Sequence, residues 1–257
     1  MEVHVVSGFS LTNRMILYAS VLLAPAQFSS GIKSNCPSNL GFLAYNWYTQ
    51  LKWYQAVDQK QLHALSMVLQ HFNLIYSISY IGGISSGNVY MGGFLGFGTA
   101  GVLLLNTLCA WISWATNQPE GFDLYHFFFF GWRTLNHNWH KFFLVWEIFD
   151  TMLALVVVIY TILKSFKIPQ EDSHNNDEDG NGAGATWSRW ARTLALIPLG
   201  SAGMLLATWP LILWVELIMA KNHIESATDW VAVWLFVAQA CTLIVPPCTA
   251  VLGCFRS

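Results

Sequence analysis

The stretch Phe142–Tyr160, FFLVWEIFDTMLALVVVIY, decides the fold. It has the length and apolar character of a membrane-crossing helix, which takes about 20 such residues. Yet it contains Glu147 and Asp150, and each carboxylate costs roughly 2.5–3.5 kcal/mol at the centre of a bilayer helix. Two such groups in one apolar run call for a polar or functional environment inside a bundle. The rest of the chain has the same character: of 257 residues, 54% are hydrophobic and 10% charged, with a mean hydropathy of +0.44. An ordinary soluble domain carries about 25% charged residues. The reading is all-α, a polytopic transmembrane helical bundle of five or six spanning helices.

Working outward, residues 1–30 read as a first span or a signal peptide. No charge lies between Arg14 and Lys33, and Ala24-Pro25-Ala26 resembles a small-residue cleavage site. Residues 31–61 place Trp47, Leu51, Tyr54 and Val57 near one helical face, as in an interfacial amphipathic helix, although an aromatic-rich loop fits the same residues. Residues 62–253 form the expected membrane bundle. From Gln61 to Pro119 there is no Asp, Glu, Lys or Arg, which gives spans at 62–81 and 89–116 around a turn at GGISSGN. Gly92, Gly96 and Ala100 recur every four residues, a face for close helix–helix contact. Further spans follow at 142–164, 192–220 and 228–245, and the acidic segment 168–187 reads as a disordered loop.

Lys164, Lys167, Arg189 and Arg192 flank that loop and put it on the cytoplasmic side by the positive-inside rule, although the twelve Lys and Arg divide evenly between the faces. Counting crossings sends Glu147, Asp150, Glu216 and Asp229 toward the opposite face, together with His126, His137, His140, His223 and Glu225. One shared polar cavity is the expectation. Glu216 is expected beside Lys221, and Asp229 as an acid at a helix start capped by Ser226 or Thr228. A net charge of −2 without a basic patch argues against nucleic acid as a partner. The five cysteines form no C-x-x-C pair, and His137 with His140 makes no specific ligand pattern, so neither metal nor cofactor is expected.

Glu147 and Asp150, three residues apart, share one helical face. That is how a protein sets a proton donor beside a base. The candidate roles are Glu147 as acid and Asp150 as partner or base, with Trp146, Trp214 and Glu216 binding substrate. Trp146-Glu147-Ile148 resembles the fungal integral-membrane terpene cyclases, over these three residues and general size. The resemblance implies protonation of an isoprenoid epoxide or alkene by membrane carboxylates. The partners expected are membrane lipid and an apolar small-molecule substrate. Two other readings fit the same residues: a small transporter or channel subunit whose acids form a proton or cation path, and a non-catalytic membrane scaffold. An enzyme would show a closed apolar pocket around the acids, a transporter a water path to both faces, and a scaffold neither.

Overall fold

The computed structural model describes residues 3–32, 36–62, 65, 89–167 and 183–244. Among these the chain is mostly helical, with six helices: α1 (Leu11–Ile32), α2 (Cys36–Asp58), α3 (Val89–Ile112), α4 (His137–Lys167), α5 (Ala183–Lys221) and α6 (Trp230–Ile244). A π-helical turn, Ser113–Asn117, and one α-turn, Gln118–Glu120, extend α3. Four three-residue strands make two small sheets. β1 (Val3–Val5) pairs in parallel with β4 (Ile224–Ser226), and β2 (His126–Phe128) forms an antiparallel hairpin with β3 (Trp132–Thr134). The all-α expectation thus gains two strand pairs.

The helices pack in the order α4, α3, α2, α6, α1, α5. This is an open arc, with α4 and α5 at its ends and the β2–β3 hairpin near both. Asn117 of the α3 extension accepts from the Leu62 amide and donates to the Val57 carbonyl, so α2 and α3 end side by side and run parallel. Residues 59–88 join them in the sequence. The span expected at 62–81 falls there, almost wholly outside the described residues, as do residues 168–182 of the expected loop.

Glycines set the helix spacing. A Cβ on Gly96 would overlap Ser165 Oγ and come within 2.8 Å of Ser165 Cβ, so α3 and α4 meet there backbone to side chain. Gly92 and Ala100 are buried on the same helix. Gly98 and Gly101 do the same work toward α2, where a Cβ would approach Leu43 to 2.5 Å and Trp47 to 2.6 Å. The Trp47 indole N–H donates to the Gly98 carbonyl at 3.0 Å. Small residues let helices approach and gain dispersion contacts where apolar burial brings no advantage over lipid.

The core is mainly apolar, yet polar side chains share it while large apolar ones lie outside. Asn13, Ser20, Asn46, Gln50, Asn106 and Gln239 are buried, while Phe94, Phe97, Phe149, Met152, Val156 and Leu206 are exposed. So broad an apolar exterior exceeds what soluble monomers carry and is compatible with a lipid surround. Among the described residues, three helical stretches are long and apolar enough to cross a membrane, by length and composition: Gly92–Glu120, His137–Leu163 and Ile197–Lys221. The expectation was five or six. α1 carries Thr12, Asn13, Arg14 and Ser20 and α2 carries Asn46, Gln50 and Lys52, which lower their hydropathy. The described α6 has 15 residues, about 23 Å of helix against a hydrocarbon core of about 30 Å.

Gly96→Ala is expected to cost about 1–3 kcal/mol by overpacking the α3–α4 contact, and Ser165→Ala in the same chain to restore part of the loss. Thermal unfolding of the two variants and their combination in detergent checks this; simple additivity would mean the two residues do not share the contact.

Candidate functional site

The buried residues of α4 are Phe143, Glu147, Asp150, Ala154, Val157, Val158, Thr161 and Ser165. Their spacing of three and four marks one helical face, and Ser165 fixes that face against α3. Three further contacts set the register. The Trp111 indole N–H donates to Thr151 Oγ1 at 2.9 Å, and that hydroxyl donates to the Glu147 carbonyl at 2.8 Å. Trp114 stacks on His140 with ring centroids 4.4 Å apart and donates to its carbonyl. His140 Nδ1 lies 2.9 Å from Gln118 Oε1. Glu147 and Asp150 therefore lie level with the Ala110–Ser113 turn of α3, where the helix widens into its π-turn. π-turns re-aim the side chains that follow and recur at functional sites. Ser113, at the start of the turn, is fully buried, and its hydroxyl has no hydrogen-bond partner among the described residues.

α4 starts at His137, so Glu147 lies about 15 Å and Asp150 about 20 Å along its axis.

Trp146 points elsewhere. It is 45% exposed and joins Trp214 in the wall of a groove of about 370 Å³ between α4, α5 and the hairpin. Phe128, Phe129, Phe130 and Phe142 line the groove from one side, and Pro210, Leu211, Leu213 and Leu217 from the other. The Trp214 indole donates to the Phe128 carbonyl at 2.9 Å, which fixes the ring. Asn222 holds the hairpin to α5 by two bonds of 2.7 Å, accepting from the His126 amide and donating to its carbonyl. Phe143 lines the groove and is also buried one turn before Glu147, so it stands between the two regions. Neither Glu147, Asp150 nor Glu216 lines the groove.

Glu216 forms a third site. Arg14 binds it through two N–H donors at 2.6 and 2.8 Å, and Tyr18 donates a hydroxyl at 2.8 Å. The expected neighbour Lys221 instead lies 5.4 Å from the centre of the Trp132 ring. Arg14 and Tyr18 also line a small cavity of about 30 Å³ among α1, α2, α5 and α6. On its far side Asp229 accepts from the Tyr48 hydroxyl at 2.8 Å and pairs with Lys52 at 3.1 Å. Its other carboxylate oxygen accepts from the Val231 amide at 2.9 Å, so Asp229 is itself the cap of α6, in place of Ser226 or Thr228. Burial pushes the Asp229 carboxyl up. The bonds from Tyr48 and Lys52, the α6 backbone and the Lys52 charge outweigh that and hold it below its ordinary value.

Sequence reasoning missed Arg14, Tyr18, Tyr48 and Lys52. The available signal was a charge inventory, since an arginine at the head of an apolar helix needs a carboxylate at its own level. The shared cavity expected for the acids and histidines resolves into separate clusters, and among the described residues no group of three His, Cys, Asp or Glu gathers to hold a metal ion. Comparison with models of protein families, with curated proteins and with solved structures finds no match.

A depressed folded pKa gives stability that is present above the unfolded value, 3.8 for this group, and lost as pH falls through the folded value. Asp229→Asn keeps a cap but loses the charge, so it is expected to lower the melting temperature at pH 6–7. The gap to wild type should shrink below about pH 4 as Asp229 itself protonates. Melting curves across that range check it; a constant gap would mean the charge is not what Lys52 and Tyr48 recognise.

Proposed function

We propose that this chain is a multi-pass membrane protein that holds the apolar chain of a lipid-class or isoprenoid-like substrate in the aromatic groove, with Glu147 and Asp150 as an acid–base pair. Glu147, one turn beyond the groove residue Phe143, is the acid for a substrate whose reacting end passes Phe143, protonating an alkene carbon or an epoxide oxygen, and Asp150 is its partner or base. The observation that carries the reading is the groove itself. Its volume of about 370 Å³ falls in the range of small-molecule sites, about 300–1,000 Å³, and its wall residue Trp146 immediately precedes Glu147. Trp146 and Trp214 are the substrate-binding side chains, and Glu216 acts through Arg14 to hold α1 on α5.

The proposal extends to topology. α1 and α2 have 22 and 23 residues, about 33 Å of helix each. Asn13, Ser20, Asn46 and Gln50 turn inward while Leu11, Met15, Leu51 and Tyr54 face out, so they cross beside the three more apolar helices.

One observation favours a second reading. Glu147 and Asp150 face α3 and not the groove, as they would in a non-catalytic scaffold where the acids are structural. Glu147→Gln separates the two. It preserves shape and most hydrogen bonds but removes the transferable proton. In the catalytic reading, melting stays near wild type while the lipid or isoprenoid product profile of an expressing strain loses a component. In the scaffold reading, loss of a buried charged partner costs roughly 3–5 kcal/mol, and the melting temperature falls. An unchanged melt with an unchanged profile would sink both.

A further inference from the structure

Six cations have described side chains, and they divide sharply. Arg14 holds Glu216, Lys52 holds Asp229 and Lys60 holds Glu120. Arg133, Lys141 and Lys221 form no ion pair among the described residues, although all are exposed. Lys221 and Lys141 adjoin residues of the aromatic groove, while Arg133 pairs with Phe127 on the other face of the hairpin. Lys221 follows Leu217 by one turn on the same face of α5, so its stem continues the groove wall, and its ammonium rests 5.4 Å from the centre of the Trp132 ring. Trp132 is the strand partner of Phe128, which lines the groove, and Arg133 is the next residue of β3. Lys141 precedes the groove residue Phe142 on α4.

The groove and its rim therefore have the polarity of a two-part ligand. The wall is aromatic and aliphatic, and Lys221 stands at one end, where Glu216, the nearest carboxylate along α5, is already taken by Arg14. The hairpin tip supports a membrane setting. Phe130 is 90% exposed and adopts φ +48°, a left-handed conformation that bulky residues rarely take. It presents an aromatic ring outward beside the cations, the composition of a membrane–water interface.

We propose that an anionic membrane phospholipid seats here, one acyl chain in the groove and its phosphate at Lys221. The proposal rests on the groove assigned above but is independent of any chemistry at Glu147. Charge complementarity selects the anionic lipid, because a zwitterionic head brings a second cation against Lys221. Lysine and arginine near a membrane surface each favour anionic lipid by a modest, additive amount.

The test is native mass spectrometry of the full chain, released from detergent after incubation with phosphatidylglycerol or phosphatidylcholine. Wild type is expected to retain phosphatidylglycerol preferentially. Lys221→Gln, at an exposed position, is expected to reduce that retention roughly fivefold, and Lys60→Gln, an exposed lysine paired with Glu120, to leave it unchanged. Equal retention of both lipids, an unaltered preference in Lys221→Gln, or equal protection against heat by inorganic phosphate would overturn the proposal while leaving the groove as an apolar site. Retention of neither lipid would overturn the groove reading as well.

Discussion

At Gly96 the backbone of α3 comes so close to Ser165 that no side chain fits between them, and the phase of α4 follows from that contact. With Ser165 and Thr161 turned to α3, the three- and four-residue spacing carries Glu147 and Asp150 inward at the other end of the seam. There Trp111, Trp114 and Gln118 grip Thr151 and His140. The same phase turns Trp146 about 100° away from Glu147, toward α5. The separation of an acidic seam from an aromatic groove is thus a consequence of where two small residues meet, more than 20 Å along the helix from the carboxylates.

A second constraint acts at the end of the bundle that carries the strands. Arg14 with Glu216 joins α1 to α5, and Lys52 with Asp229 joins α2 to α6. Each pair is completed by a tyrosine hydroxyl, from Tyr18 and Tyr48. A buried charge left without a partner is far costlier than a pair is beneficial, so these contacts specify which helices meet more than they add net stability. Asn13 strengthens the arrangement by bonding the backbone of Asp229 on both sides, donating to its carbonyl and accepting from its amide.

Much of this was legible in the sequence and some was not, for physical reasons. The apolar runs behind α3, α4 and α5 announce themselves because their surroundings are apolar on most sides. α1 and α2 conceal their packing because Asn13, Ser20, Asn46 and Gln50 lower the average hydropathy while facing inward. Hydropathy sums over a helix and carries no record of direction. Trp146 and Trp214 stood out as candidate binding residues and do share a groove, while Glu147 and Asp150, grouped with them by proximity in the chain, face another neighbour. Arg14 and Glu216 are 202 residues apart, and local pattern carries no information about such a pair. Gly96 was readable from its small-residue spacing, whereas Gly98 and Gly101 serve a different helix and follow no repeat.

The membrane reading proposed above requires one face of α4 to meet lipid while the opposite face presents Glu147 and Asp150 to α3. Nitroxide labels placed singly from position 142 to 156, in a cysteine-free chain reconstituted in bilayers, measure this through their collision rates with oxygen, which partitions into lipid, and with a water-soluble nickel complex. The account requires oxygen maxima at Val145, Phe149, Met152 and Val156, minima at Glu147, Asp150 and Ala154, and low nickel accessibility throughout. Maxima at 147 and 150, or nickel accessibility that follows the same helical period, would contradict it.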